Sequence, residues 1–226
     1  NRPSCDGVAD LENRTRFKPD LARKNPTVER LLYSGRLISF YANLFGEPIR
    51  HYDFTWLRAI GPGKGTNPHC DVVYMGRGTK QHLTCWVPYG DISLEMGGLM
   101  ILEDSHRKSD RLRNYLNRDV DEYCENKPSQ VEKAKNKGVA FSGDLSHNPP
   151  VLRKSLGGRW LTAEFRAGDF VTFRMNVIHG GLDNQTDRIR LSTDSRYQRV
   201  SEPIDERWIG ANPMGHGPRA KRGLIC

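Results

Sequence analysis

Two side chains able to share a metal ion stand two residues apart in the run Asn67-Pro68-His69-Cys70-Asp71. In an extended strand, residues i and i+2 leave on the same face, so His69 and Asp71 are expected to point one way and Cys70 the other. A third donor, His179, follows 108 residues after Asp71, where the strand-like run Met175 to Ile178 reaches Gly180-Gly181. Two imidazoles and one carboxylate make a facial triad with open coordination positions, the donor set suited to ferrous iron and dioxygen. Catalytic zinc activating water uses a similar set, so a zinc hydrolase is the competing reading.

A second constellation lies eleven residues past His179. The segment Asp187 to Tyr197 reads as a strand, and it carries Arg190 and Ser192 on one face. A guanidinium fork with a hydroxyl beside it fits the far carboxylate of a small diacid, because arginine pairs bidentately with carboxylates. Water activation by zinc has no use for such a clamp. In the same strand Ile189 and Leu191 form the apolar face, so simple alternation turns Arg190 to solvent unless both faces of the sheet are covered.

The order His69-x-Asp71, His179, Arg190-x-Ser192 resembles the iron(II)- and 2-oxoglutarate-dependent dioxygenases, and the flanking sequence is similar to the phytanoyl-CoA dioxygenase family. The resembling stretches include Gly61-Pro62-Gly63, Leu83 to Pro88, Glu95 to Leu102 with Ser105-His106, Gly158 to Leu161, Ala167 to Phe170 and Asp205 to Trp208. The resemblance implies that His69, Asp71 and His179 hold Fe(II), and that 2-oxoglutarate and O2 occupy its open positions. Arg190 and Ser192 would then fix the distal carboxylate. It also places Trp86, with Thr84 on the same face of its strand, beside the cosubstrate. The implied reaction is hydroxylation of a C–H bond with release of succinate and CO2. Related halogenases lack the carboxylate, so the presence of Asp71 favours hydroxylation. A non-enzymatic β-barrel that keeps the metal and binds a partner is the remaining alternative.

The elements that would position these residues are short strands separated by glycine turns. Residues 25–210 are expected to form the dioxygenase domain, residues 1–24 a loosely held arm and residues 211–226 a flexible tail. Asn25-Pro26 signals a helix start, and an apolar face runs through Val28, Leu31 and Leu32. It resumes after Gly35 with Leu37, Ile38 and Tyr41 and stops at Gly46. Helices only at the front and in the insertion 107–158, with no β-α-β alternation, predict a mainly antiparallel β architecture with flanking helices. The resemblance narrows this to a double-stranded β-helix, the cupin-like jelly roll. Residues 107–158, broken at Pro128, Gly138, Gly143 and Pro149-Pro150, read as a lid or substrate loop.

The 226 residues carry a net charge of +8. Between Arg107 and Arg159 twelve Lys or Arg stand against seven Asp or Glu, a surplus of five. A basic rim of this kind would attract a small anionic or acyl-type substrate. Nucleic acid is not an expected partner, since no base-reading motif accompanies the charge. No apolar run approaches the ~20 residues of a membrane span. Five cysteines, scattered and odd in number, argue against a disulfide framework and for a reducing, cytoplasmic setting.

Overall fold

The computed structural model describes residues 21–22, 25–135 and 142–226, together with the backbone of the strand β1 (Thr15–Phe17). Most of the expected arm therefore lies outside the described residues. The part within them pairs antiparallel with β3 (Trp56–Ile60), Thr15 opposite Ile60.

Two helices follow, α1 (Pro26–Tyr33) and α2 (Gly35–Phe45). The Asn25 side chain accepts the amides of Thr27 and Val28 and so satisfies two of the orphan donors of the first turn. The break between the helices falls at Gly35, whose φ of +60° is a left-handed conformation.

Ten strands build two antiparallel sheets. In the larger, the order is β1, β3, β11 (Arg190–Arg199), β5 (Leu83–Pro88), β9 (Val171–Arg174), and β2 (Ile49–His51) pairs with the far end of β11. In the smaller, the order is β4 (Thr66–His69), β10 (His179–Gly181), β6 (Leu99–Leu102), β8 (Trp160–Leu161). The sheets meet where Trp86 and Phe173 of the larger pack with Leu99 of the smaller. On the other side of the larger sheet, Leu32 and Tyr41 of the helices bury Cys85, Val87 and Tyr197. Tyr41 stacks on Tyr197 at 4.1 Å, and the Tyr197 hydroxyl donates to the Leu32 carbonyl at 2.6 Å.

The insertion is more regular than its proline and glycine content predicts. After the short helix α3 (Val72–Met75), which precedes it in the chain, the insertion holds α4 (Ser109–Leu116), β7 (Glu122–Cys124), α5 (Pro128–Lys135) and α6 (Pro149–Leu156). Leu112 and Tyr115 anchor α4 in the core beneath α3. The prolines that looked like breaks at 128 and 149 open helices, where a missing N–H costs nothing.

Residues 211–226 are not a free tail. They end in β12 (Arg222–Leu224), which runs parallel to β7, and Cys226 is disulfide-bonded to Cys124, 102 residues earlier. The expectation drawn against a disulfide framework is thereby corrected to one bridge: an odd total of five still leaves room for up to two, and residues distant in sequence can be neighbours in a fold. Disulfides persist in oxidising compartments, so the cysteines no longer support a cytoplasmic setting. No helix among the described residues is long and apolar enough to cross a membrane. A cross-link closing so long a loop contributes about 2–5 kcal/mol, so Cys124→Ser is expected to lower the melting temperature by roughly 5–15 °C. Identical melting of the variant and the parent in calorimetry would show that the bridge stabilises nothing.

Candidate metal and cosubstrate site

His69 closes β4 and His179 opens β10, and the two are paired across the smaller sheet. Asp71 does not sit on the strand, contrary to the alternation argument. The strand stops at His69, and Asp71 adopts helical dihedrals at the cap of α3. Its carboxylate reaches the same point by way of that turn, while Cys70 is fully buried in the core behind.

The three side chains are buried and their donor atoms all lie within 4.8 Å of one another. Asp71 Oδ1 is 3.9 Å from His69 Nε2 and 3.7 Å from His179 Nε2. A cation about 2.0–2.2 Å from each donor needs those donors about 3–4 Å apart, which is the spacing from Asp71 Oδ1 to each imidazole. Each imidazole is aimed by its own backbone: Nδ1–H of His69 donates to the Asn67 carbonyl at 2.8 Å, and that of His179 to Val177 at 3.0 Å. Both Nε2 lone pairs are thereby turned to the common point. The Ser105 hydroxyl, which accepts the Ile178 amide at 3.0 Å, steadies the chain just before His179.

Burial, reinforced by the neighbouring His179, pushes the pKa of His69 down to about 4, so it is neutral and able to ligate at neutral pH. For Asp71 burial acts upward, but the Arg196 guanidinium, the two histidines and the Thr84 hydroxyl outweigh it and hold the carboxyl well below its usual range. Arg196 Nη2 donates to Asp71 Oδ2 at 3.0 Å, and Thr84 Oγ1 donates to the same oxygen. One carboxylate oxygen is thus occupied by the protein and the other faces the histidines, so Asp71 is set up as a monodentate ligand. Thr84, expected to lie beside the cosubstrate, has its hydroxyl on the Asp71 carboxylate.

Arg196 was not picked out from the sequence, although it lies on the same face of β11 as Arg190 and Ser192. It is buried, and its guanidinium stacks 4.1 Å from the Trp56 ring. Removing its charge in Arg196→Met should raise the Asp71 pKa and weaken metal binding about 10- to 100-fold, as loss of ligand-orienting groups does. Metal should then dissociate at a higher pH on acidification, because the depressed carboxylate pKa that favours the ligating form is gone. A metal titration across pH that matches the parent would contradict this role.

Along β11 the polar residues Arg190, Ser192, Asp194, Arg196 and Gln198 are buried, while Leu191 is 45 % exposed. The apolar face expected to point inward therefore points out. The reason is that the inner side of this strand lines a site rather than a hydrocarbon core. Farther along, Thr193, Ser195 and Tyr197 are buried too, beneath α1 and α2.

Arg190 is 2 % exposed, yet its Nε and Nη1 have no hydrogen-bond partner among the described residues, and neither has the fully buried Ser192 hydroxyl. Burial and the nearby Arg58 lower its pKa to about 10, which still leaves it cationic at neutral pH. A cavity joins this guanidinium to the two histidines, with Trp86, Leu99, Thr66, His69, His179 and Gly181 in its walls. A Cβ on Gly181 would stand 3.1 Å from Arg190 Nη2, so the glycine turn leaves room for the guanidinium. Trp86 also serves the core, edge-on to Phe165 at 4.8 Å.

The model of the phytanoyl-CoA dioxygenase family matches residues 13–192. This chain belongs to the phytanoyl-CoA dioxygenase family. No curated protein matches it in a sequence search. Among solved structures, the carbocyclase SnoK from nogalamycin biosynthesis is 18 % identical with a TM-score of 0.60, covering 89 % of this chain and 74 % of that one. The epimerase SnoN from the same biosynthesis is 20 % identical with a TM-score of 0.55, covering 90 % and 72 %. EctD from S. alaskensis, solved with 2-oxoglutarate and 5-hydroxyectoine, is 17 % identical with a TM-score of 0.58, covering 94 % and 67 %. At these identities the likeness is one of fold.

This family member has a second cavity, of about 220 Å³, that shares His69, Thr66 and Arg58 with the first and adds Asp71, Tyr74, Asp144, Arg196 and His216. His216 comes from the segment taken for a tail. Its Nδ1 lies 2.7 Å from Asp121 Oδ2, and its ring stands edge-on to Tyr74 and Trp208. Asp144 comes from the insertion and forms a backbone bridge with His69. Neither was singled out from the sequence.

Proposed function

We propose that this protein is an Fe(II)- and 2-oxoglutarate-dependent dioxygenase that hydroxylates a C–H bond of a small molecule, releasing succinate and CO2. The observation that carries the reading is a three-donor metal site whose two histidines line one cavity with the buried Arg190 guanidinium, which lacks partners at Nε and Nη1, as the buried Ser192 hydroxyl two residues on does. A buried cation with nothing to bond is costly, and a carboxylate arriving at that end of the cavity relieves the cost. On this reading the two antiparallel sheets are the walls of a double-stranded β-helix, and the metal end lies between them.

His69, His179 and Asp71 Oδ1 would hold Fe(II), whose chemistry when bound with 2-oxoglutarate is the activation of O2. The protein's own residues do the rest. Arg196 and Thr84 fix the ligand carboxylate, Arg190 and Ser192 take the distal carboxylate of the cosubstrate, and Trp86 with Leu99 walls the space between and excludes water. The basic surplus of residues 107–159 favoured an anionic or acyl-type substrate. Several of those side chains instead pair locally at the surface, as Arg113 does with Asp110 and Arg159 with Glu103.

A zinc hydrolase would leave the Arg190 and Ser192 pair without a task, and a binding barrel would consume no cosubstrate. Conversion of 2-oxoglutarate to succinate, measured with Fe(II) in air and under nitrogen, separates the three. The expected result is succinate that requires both iron and oxygen. No succinate with iron, oxygen and 2-oxoglutarate all saturating would overturn the assignment.

A further inference from the structure

The cavity beside the triad has a charge pattern of its own. Its two guanidinium groups each face a carboxylate: Arg58 Nε pairs with Asp194 Oδ2 at 2.6 Å, and Arg196 Nη2 with Asp71 Oδ2 at 3.0 Å, while Nε and Nη1 of Arg196 have no hydrogen-bond partner among the described residues. Asp144 and His216 stand outside these two pairs. Asp144 Oδ2 takes the Asn67 amide at 3.0 Å, while no hydrogen bond to its Oδ1 is found among the described residues. The His216 imidazole is oriented by Asp121, and that carboxylate is also neutralised by Arg207 Nη1 at 2.7 Å and Lys221 Nζ at 3.7 Å. The imidazole donates through Nδ1–H to Asp121, so Nε2 is the ring nitrogen left for a second partner. The Tyr74 ring lies between, edge-on to both His69 and His216.

We propose that Asp144 and His216 form an acceptor wall that selects substrates carrying hydrogen-bond donors, ammonium or hydroxyl groups, over carboxylated or phosphorylated ones. This rests on the dioxygenase reading, since it names the substrate class of that same site. A carboxylate or phosphate entering here would face Asp144, and the two guanidinium groups on the wall already have carboxylates beside them, Asp194 and Asp71. An ammonium group would gain a charge-assisted bond. His216 would be a positioning residue supplied by the C-terminal segment, which β12 and the Cys124–Cys226 bridge hold in place.

Calorimetric titration of the anaerobic Fe(II) and 2-oxoglutarate complex with three open-chain polyols of one length tests this. The polyols are N-methylglucamine, sorbitol and gluconate, which differ in the charge at one end. N-methylglucamine is expected to bind about tenfold more tightly than gluconate, with sorbitol between them. In Asp144→Asn the preference should collapse to about one while 2-oxoglutarate affinity stays at the parent value. In His216→Ala affinity for N-methylglucamine and sorbitol should fall together. Gluconate binding as tightly as the amine, no polyol binding at millimolar concentration, or an unchanged preference in Asp144→Asn would overturn the proposal and leave the dioxygenase reading standing. Failure of the parent protein to bind 2-oxoglutarate would overturn both.

Discussion

Asp71→Ala is expected to abolish iron-dependent succinate formation and to weaken Fe(II) binding by about a hundredfold or more, beyond the 10- to 100-fold typical of ligand-orienting groups. Two losses coincide in this one substitution. The first is the only carboxylate of the donor set, without which His69 and His179 alone must hold the ion. The second is the partner of Arg196, whose guanidinium is 2 % exposed and would be left as a buried charge facing the metal. Repulsion between that charge and the cation adds to the lost bond, so the alanine variant should bind iron worse than a variant with both Asp71 and Arg196 replaced by neutral residues. Equilibrium dialysis with Fe(II) under nitrogen gives the affinity, and succinate assay gives the activity. Full turnover in Asp71→Ala would remove the carboxylate from the metal site.

Arg190→Ala is expected to act at the other end of the same cavity and to leave the metal alone. Charge-assisted hydrogen bonds contribute roughly 1.5–3 kcal/mol each, so losing two should weaken 2-oxoglutarate about a hundredfold or more. Ser192→Ala, which removes one neutral donor, should cost about tenfold or less. The guanidinium is buried without partners at Nε and Nη1. Its removal should therefore not lower the melting temperature of the cosubstrate-free protein, while the stabilisation that 2-oxoglutarate gives the parent should vanish. That combination distinguishes a ligand clamp from a structural arginine. An unchanged 2-oxoglutarate affinity, or a collapse of the apoprotein on substitution, would contradict the assignment.

The metal donors could be read from the sequence because an imidazole and a carboxylate two apart form a short pattern whose chemistry is carried by residue type, and the proposed clamp was picked out in the same way, as a guanidinium and a hydroxyl two apart. The helices Pro26–Tyr33 and Gly35–Phe45 were readable for a similar reason, since Asn25, Pro26, Gly35 and Gly46 mark their ends locally. Arg196 was harder, because its role depends on a carboxylate 125 residues away, and nothing local separates it from a surface arginine. Asp71 was placed with the right partners by an incomplete argument: strand alternation aimed it, whereas a helical turn delivers it. The inward polar face of β11 inverted the usual hydrophobic pattern, as a strand lining a ligand site does. The C-terminal segment was misread because its order comes from distant partners, the Glu122–Cys124 strand and the Cys124 thiol, which composition does not reveal. His216 and Asp144 were missed with it, since a lone histidine and a lone aspartate gain meaning only from the cavity they share.

The most direct measurement is a crystal structure of the protein soaked under nitrogen with Fe(II) and 2-oxoglutarate. One iron is expected about 2.0–2.2 Å from the Nε2 atoms of His69 and His179 and the Oδ1 of Asp71. The distal carboxylate of the cosubstrate is expected on Arg190 and Ser192, satisfying the atoms that now lack partners. Iron bound at other residues, or 2-oxoglutarate held with its distal carboxylate away from Arg190, would contradict the assignment.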